Sequence, residues 1–519
     1  MKKLLTFLFI TLTISLFAQD YEKSIKHLLD EQYPAEGPGG AILVAKGGNI
    51  IHEGRFGKAN IEAGTNNAVT NNYKIGSITK QFTSVAILML QEQGKLSVDD
   101  KITKHLSDYP EPNITLRQLL NHTAGLPNYT NMPSWFSTAN ESKTVDEMLA
   151  FFKDEPLDFK PGTDWSYSNS GYIVLGAVIE KVSGISYEEF IEKNIFNKIG
   201  MNHTYYGRDD EKIAELAIGY SKKVGGTFEK AMEMSLTQPY AAGSIISTVG
   251  DQFIWIKAIR DNKLISEESK KSAWTSAILP NGKNTHYGFG WMQNEIAGYQ
   301  SIEHGGSIFG FVCSGVYIPE QDIFVSILSN RDGVSPDEIA VRIAAAVAGH
   351  PYVIGATIPL TKQEMEEYVA VYDFEDGSTR TITTDGENLY SQKSGSVKLK
   401  IIPVAKDEFV FEGYEMSTIK FKRNNMNRIG GAVAKFRVDE ISGKRTNKEI
   451  VERVEIKLAK EQLERLQGEY QLAPEFTIKV SVRDDKLIAQ ATGQPEFELF
   501  ATSPLNFFLK VVDAQIDFV

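Results

Sequence analysis

The sequence predicts an α/β (α+β) domain, an antiparallel sheet flanked by helices, followed by an all-β region of two small antiparallel barrels. Three observations predict it. Apolar strand-like runs lie early, at Ala41–Ala45 and Ile50–His52, and late, at Phe311–Ile318 and Ile323–Ser329, with helical patterns between them. Past Pro351 the long helical stripes vanish, and from Tyr368 to Phe421 short alternating stretches are separated by turns such as Phe374–Gly377. The tail then repeats itself: Tyr372 and Tyr470, Leu389 and Leu487, Gln392 and Gln490, Gly395 and Gly493, Phe409 and Phe507 all stand 98 positions apart. A constant offset over five positions marks a duplicated unit.

The chain opens on a targeting pattern. Lys2 and Lys3 precede an apolar stretch from Leu4 to Phe17, and Ala18 offers a small cleavage position. Residues 1–18 therefore read as a secretory signal peptide, and the remainder as exported, periplasmic or secreted. The apolar run falls short of the roughly 20 residues a spanning helix needs, so no transmembrane anchor is expected in the mature chain. Residues 19–355 form the expected first domain, 356–460 the first barrel with its linker, and 461–519 a shorter second barrel.

Tyr21–Gln32 reads as an amphipathic helix that stops before Pro34. The run Ala41–Ala45 turns at Lys46-Gly47-Gly48-Asn49 into Ile50–His52, a hairpin. Ile78, Phe82, Val85, Ala86, Met89 and Leu90 give one apolar helical stripe. Thr115 caps a short helix to Leu120, closed by the turn Asn121–Pro127. Lys160–Tyr172 is a polar, aromatic loop leading into a helix that carries Ile173, Leu175, Val178 and Ile179. Tyr240–Ser244 precedes a further helix. His286–Trp291 reads as a Gly-punctuated strand, and Glu303–Ser307 as a strand along which a substrate backbone can lie. In the tail, Glu449–Leu466 reads as a helix joining the two copies. The second copy lacks a counterpart of Arg428–Val438.

The bulk numbers narrow the partners. A net charge of −12, with no long basic block, argues against nucleic acid and anionic membrane surfaces. The hydrophobic fraction of 42% and charged fraction of 24% are those of an ordinary globular protein. The single cysteine, Cys313, has no partner in the chain for a disulfide and lies in apolar surroundings. The eight histidines show no zinc-site spacing, so no metal and no cofactor is implied.

Ser77-Ile78-Thr79-Lys80 carries the chemistry. A serine hydroxyl needs a base, and a lysine one helical turn on lies on the same face. Gly76 permits a sharp entry, leaving free backbone N–H groups near Ser77. The second Ser-x-x-Lys, at Ser417 and Lys420, lies in a β-branched stretch whose two side chains point to opposite faces, and is accidental. His122 reads either as a tie between its turn and the body of the protein or as a general base. Tyr167 and Asn169, two apart in a polar loop, can project into one cleft.

Ser-x-x-Lys at Ser77–Lys80, Tyr-x-Asn at Tyr167–Asn169 and His-x-Gly at His304–Gly306, in that order, resemble the serine β-lactamase and penicillin-binding-protein superfamily. The branch is that of class C β-lactamases, D-Ala-D-Ala carboxypeptidases, D-aminopeptidases and esterases. The likeness covers residues 21–350 and includes Leu119–Pro127 and Ile195–Met201. It implies a Ser77 acyl-enzyme, Lys80 helping to remove the serine proton and positioning Tyr167, and Tyr167, its pKa lowered by Lys80, shuttling a proton, with the base role divided between the two. Asn169 would hold the substrate amide or Lys80, and the amides of Ser77 and Ser307 would form the oxyanion hole beside Gly305 and Gly306. Where class C β-lactamases carry Lys-Thr-Gly, this chain has His304, Gly305 and Gly306. A neutral imidazole recognises a carboxylate less strongly than lysine, which points to peptides with D-residues or small esters rather than β-lactams. The alternatives are a sensor that acylates without turnover and an inert scaffold whose tail binds. The tail resembles the lipocalin-like barrels attached to some of these hydrolases, with a structural or gating role.

Overall fold

The computed structural model describes residues 22–519, apart from 24, 208–212, 224, 351–356, 451–454, 474–475, 493–495 and 511–513. The targeting pattern, Gly493 and part of the expected joining helix lie outside the described residues. The chain divides into two units, residues 1–222 with 226–351, and residues 223–225 with 352–519.

In the first unit, residues 25–32 form helix α1. Strands β1 (Gly40–Lys46) and β2 (Asn49–Phe56) make the expected hairpin. The sheet is completed from the far end of the unit by β3 (Met292–Ile296), β4 (Tyr299–Ile308), β5 (Phe311–Ile318) and β6 (Ile323–Ser329), in the antiparallel order β3-β4-β5-β6-β1-β2. β1 pairs with β6, Ala41 facing Leu328 and Val44 facing Val325. Successive residues of β1 point to opposite faces, and all from Gly40 to Ala45 are buried. The sheet is therefore a middle layer, with α5 (Val249–Arg260) against β6 and β1 and α6 (Asp337–Val347) against β5 and β6.

The helical middle holds α2 (Thr79–Glu92), α3 (Leu116–Leu120) and α4 (Asn169–Ser183). Thr115 caps α3 in a full capping box, as its sequence predicts. α2 differs from its expected single stripe: every residue from Thr79 to Leu90 is buried. Its polar side chains are satisfied inside, Thr83 donating to Ala241 O at 2.6 Å and Trp255 donating to Gln81 at 2.8 Å. A helix enclosed on all sides is a core helix, so polar residues on it do not mark a wet face. His286–Trp291 is not a strand. His286 (φ 53°) and Gly290 (φ 80°) break the extended backbone there, leaving one bridge between Tyr287 and Met292.

In the second unit, α7 (Lys362–Tyr368) leads into eight strands: β7 (Ala370–Phe374), β8 (Thr379–Thr384), β9 (Leu389–Lys393), β10 (Lys398–Ala405), β11 (Glu408–Phe411), β12 (Tyr414–Arg423), β13 (Ile429–Phe436) and β14 (Asp439–Arg445). They close into a barrel through β7 and β14. Ser417 and Lys420 lie on β12. α8 (Lys460–Glu464) then starts β15 (Gly468–Ala473), β16 (Phe476–Arg483), β17 (Lys486–Ala491), β18 (Glu496–Ala501), β19 (Asn506–Phe508) and β20 (Gln515–Asp517). The helix expected over Glu449–Leu466 is thus confined, among the described residues, to Lys460–Glu464. The second copy is also not a closed barrel. Among the described residues its six strands match β7–β12, and without counterparts of β13 and β14 its edges do not meet.

The duplication extends to single hydrogen bonds. Tyr372 Oη donates to Tyr368 O at 2.8 Å, and Tyr470 Oη donates to Leu466 O at 2.9 Å, 98 positions later. Ser394 N–H donates to Thr379 O, and Thr492 N–H to Thr477 O.

Candidate active site

Gly76–Ile78 forms a tight 3-10 turn that runs directly into α2. Gly76 has φ 52°, and a Cβ there would lie 2.9 Å from Ser307 N. On the facing strand, a Cβ at Gly306 would meet Ile75 O at 1.9 Å and Ser77 N at 3.2 Å. Two glycines thus let turn and strand touch backbone to backbone, which brings the amides of Ser77 and Ser307 to one seam. Ser77 is the half-buried member of an otherwise buried turn.

Lys80 is completely buried one turn along α2. Its Nζ lies 3.1 Å from Ser77 Oγ, 2.7 Å from Asn169 Oδ1 and 2.9 Å from Ala242 O. No carboxylate pairs with it among the described residues, and burial pushes its pKa well below the usual lysine value. A neutral Lys80 can donate to Asn169 and Ala242 while its lone pair accepts from the Ser77 hydroxyl. Asn169, at the first turn of α4, is fixed by its own contacts. Its N–H donates to Asn128 Oδ1 at 3.1 Å and its Nδ2 to Thr130 Oγ1 at 3.3 Å.

Tyr167 lies beside this pair, with Lys80 Nζ 4.9 Å from its ring centroid. Burial raises its phenol above the ordinary value, the neighbouring Ser77 hydroxyl pulling the other way. The expected lowering by Lys80 does not occur. Burial, which also lowers the Lys80 pKa, outweighs any pull from that lysine.

His122 is the tie. The amide N–H groups on both sides of Tyr167 end on it: Ser166 N–H donates to His122 O at 3.1 Å and Ser168 N–H to His122 Nδ1 at 3.2 Å. The His122 ring packs tilted against Tyr167 at 4.3 Å, its backbone sits at φ 61°, and burial holds its pKa well below the usual imidazole value. His122 thus clamps the Tyr167 loop and is not placed against Ser77.

Gly305, Gly306 and Ser307 lie on β4, opposite Ser314, Cys313 and Val312. His304, on the same strand, is buried behind the cleft rather than facing it. Its Nε2 accepts from Tyr287 Oη at 2.8 Å, and its Nδ1 donates to Gly305 O at 2.5 Å. Burial and the nearby Lys80 take its pKa down to about 3, so it is a neutral ring with both nitrogens occupied. Cys313 is buried, its thiol pushed up to about 12 by burial. Among the described residues no cluster of three or more metal-ligating side chains occurs.

Ser77, Asn169 and Ser307 open onto a cavity of about 280 Å³. The site also uses Ala242 O, Thr130, Asn128 and Tyr287, which the sequence reading did not single out. Their only sequence signal is position: Asn128 and Thr130 follow the Asn121–Pro127 turn, and Ala242 lies in the small-residue run Tyr240–Gly243, which the fold turns into a short helix against α2 and α4.

The family model described as Beta-lactamase matches residues 28–350. The chain belongs to the β-lactamase family. A penicillin-binding protein of Bacillus subtilis strain 168 is 32% identical over 397 residues, covering 71% of this chain and 87% of that protein. Among solved structures, the octameric penicillin-binding protein homologue from Pyrococcus abyssi is 26% identical with TM-score 0.59, covering 82% of this chain and 99% of that one. A D-stereospecific amidohydrolase from Streptomyces, also 26% identical, has TM-score 0.55 and covers 63% of this chain and 98% of its own. The family assignment and the sheet-and-helix unit agree with the resemblance read from the three motifs.

Proposed function

We propose that this protein is an exported serine hydrolase that cleaves amide, peptide or ester bonds through a Ser77 acyl-enzyme, with D-residue peptides or small esters favoured over β-lactams. The observation that carries the reading is the buried Lys80 amine, its pKa lowered by burial, 3.1 Å from Ser77 Oγ. Lys80 takes the Ser77 proton as Oγ bonds the carbonyl carbon, and the amides of Ser77 and Ser307 hold the oxyanion. Tyr167, protonated, gives its phenol proton to the leaving nitrogen or oxygen as that bond breaks, and Lys80 returns the proton to Tyr167. Water then attacks the acyl carbon, losing a proton to the same pair, and Ser77 leaves with its hydrogen restored.

A neutral His304 with both nitrogens engaged supplies no cation for a substrate carboxylate, which supports the preference against β-lactams. The relatives' names, a D-stereospecific amidohydrolase and penicillin-binding proteins, agree with amide and peptide chemistry. Export rests on Lys2, Lys3, the apolar stretch to Phe17 and Ala18. Among the described residues no helix is long and apolar enough to cross a membrane. A second reading, acylation without turnover, is favoured by the raised Tyr167 phenol, which is a poor base for activating water.

The test is a fluorophosphonate label with a panel of p-nitrophenyl esters, D-amino-acid amides and nitrocefin, alongside Ser77→Ala. Labelling lost in Ser77→Ala and turnover of esters or D-amides are expected, with slow nitrocefin. Absence of labelling at Ser77 overturns the nucleophile, and labelling without turnover selects the second reading.

A further inference from the structure

The cavity beside Ser77 has a composition that selects its occupant. Its wall is built from Tyr129, Trp135, Met234, Pro239, Ile308 and Phe309. The rings interlock: Trp135 packs edge-on to Tyr129 at 5.4 Å and lies 6.5 Å from Phe309. Such a wall takes an apolar group of aromatic size. Among the described residues lining it there is no lysine, arginine or histidine, and a single charged side chain, Asp332.

Asp332 is held in place on one oxygen only. Ser221 Oγ donates to its Oδ2 at 2.5 Å, and Gly310 N–H reaches the same Oδ2 at 3.4 Å. Among the described residues no hydrogen bond ends on Oδ1 and no cation pairs with the carboxylate. The adjacent Arg331 turns elsewhere, donating Nη1 to Gln32 O at 2.6 Å and lying over the Phe228 ring at 5.2 Å. Burial raises the Asp332 pKa against the Ser221 and Gly310 hydrogen bonds and the neighbouring Arg331, which pull it down. In a half-enclosed apolar cleft, an attraction between unlike charges is far stronger than in open water. An anionic substrate meets the opposite condition, since no cationic side chain lines the cavity among the described residues and both His304 nitrogens are engaged elsewhere.

From this, and resting on the Ser77 hydrolase reading, we infer that the cleft takes substrates whose acyl part joins an aromatic-sized apolar group to a positively charged amine, which pairs with Asp332 Oδ1. The amine can be the α-amine of an N-terminal residue or a side-chain amine; both offer an ammonium with three donors. The same charge pattern disfavours acyl parts that carry a carboxylate.

Direct binding separates this from the catalytic reading. Calorimetric titration of the full-length protein with 3-phenylpropylamine, 3-phenylpropanol and 3-phenylpropionate holds the ring constant and changes only the head group. The amine should bind at least tenfold more tightly than the alcohol, with the carboxylate weakest. Asp332→Asn should bring amine and alcohol to within about twofold, and Ser77→Ala should leave the order unchanged. An amine no tighter than the alcohol, or a preference that survives Asp332→Asn, overturns the inference; the first needs no variant to fold. Kinetics with D- and L-phenylalanine p-nitroanilide against their N-acetyl forms, and N-acetyl-lysine against N-acetyl-norleucine p-nitroanilide, then assign the amine to the α or side-chain position. Failure of Ser77 labelling with the binding order intact would sink the hydrolase reading and leave the amine subsite standing.

Discussion

At the residue scale the governing fact is that Lys80 is buried among three polar partners with no carboxylate. Its folded pKa lies well below the ordinary lysine value, so the neutral, proton-accepting form is populated at lower pH than in an exposed lysine. Lowering the pH through that depressed value protonates the base, so acylation should fall with falling pH along a limb set by Lys80. Lys80→Arg installs a fixed charge and should reduce kcat/KM for p-nitrophenyl esters by about 10³-fold or more while abolishing the Lys80 limb of the pH profile. His122 acts differently, through the two amides flanking Tyr167. His122→Ala should lower kcat about 10–100-fold with little change in KM, from misplacement of the Tyr167 phenol. His122→Asn should recover much of it, since an asparagine oxygen can accept from Ser168 N–H and asparagine tolerates φ 61°. Equal losses in both variants would count against the clamp.

At the element scale, the contact between the Gly76–Ile78 turn and β4 shows why His-x-Gly is a geometric motif as much as a chemical one. A methyl group at Gly306 would stand 1.9 Å from Ile75 O, so Gly306→Ala must push strand and turn apart. Acylation should fall about 10²-fold or more through displacement of an oxyanion donor, while far-UV circular dichroism stays near wild type. At Gly305 the added methyl meets the Asp337 carboxylate at 3.2 Å, a side chain that can give way, so Gly305→Ala should cost much less. A larger loss at Gly305 than at Gly306 would refute this account of the seam. Elements were legible where periodicity and burial agree, as in β1, β5 and β6. They were not where enclosure removes the polar face of α2, or where positive φ at His286 breaks an apparent strand.

At the scale of the whole molecule, each part of the chain has a core cluster of its own among the described residues: one runs from Ala41 to Leu328, one from Met365 to Ala434 and one from Leu463 to Phe518. A chain ending before residue 360 should therefore fold and keep small-ester acylation within about threefold of the full protein, checked by fluorophosphonate labelling and thermal unfolding. Failure of that fragment to fold would show that the tail is needed for the first core. The repeat was legible because both copies conserve the same spacing, down to the tyrosine that bonds the carbonyl four residues back. That the second copy remains open was visible only as missing sequence. Closure depends on whether first and last strands can meet, which β13 and β14 decide.

The sequence by itself determined the family, the order Ser77–Lys80, Tyr167–Asn169, His304–Gly306, and the duplicated tail, because these depend on residue identity and spacing along the chain. Only the tertiary structure decided what surrounds the ionisable groups. It buried Lys80 and His304 without counter-ions, removed the expected lowering of Tyr167, turned His304 away from the cleft and left Asp332 as the charged group in the cavity wall. A pKa is set by the solvent and neighbours a side chain meets after folding, and those come from segments hundreds of residues apart.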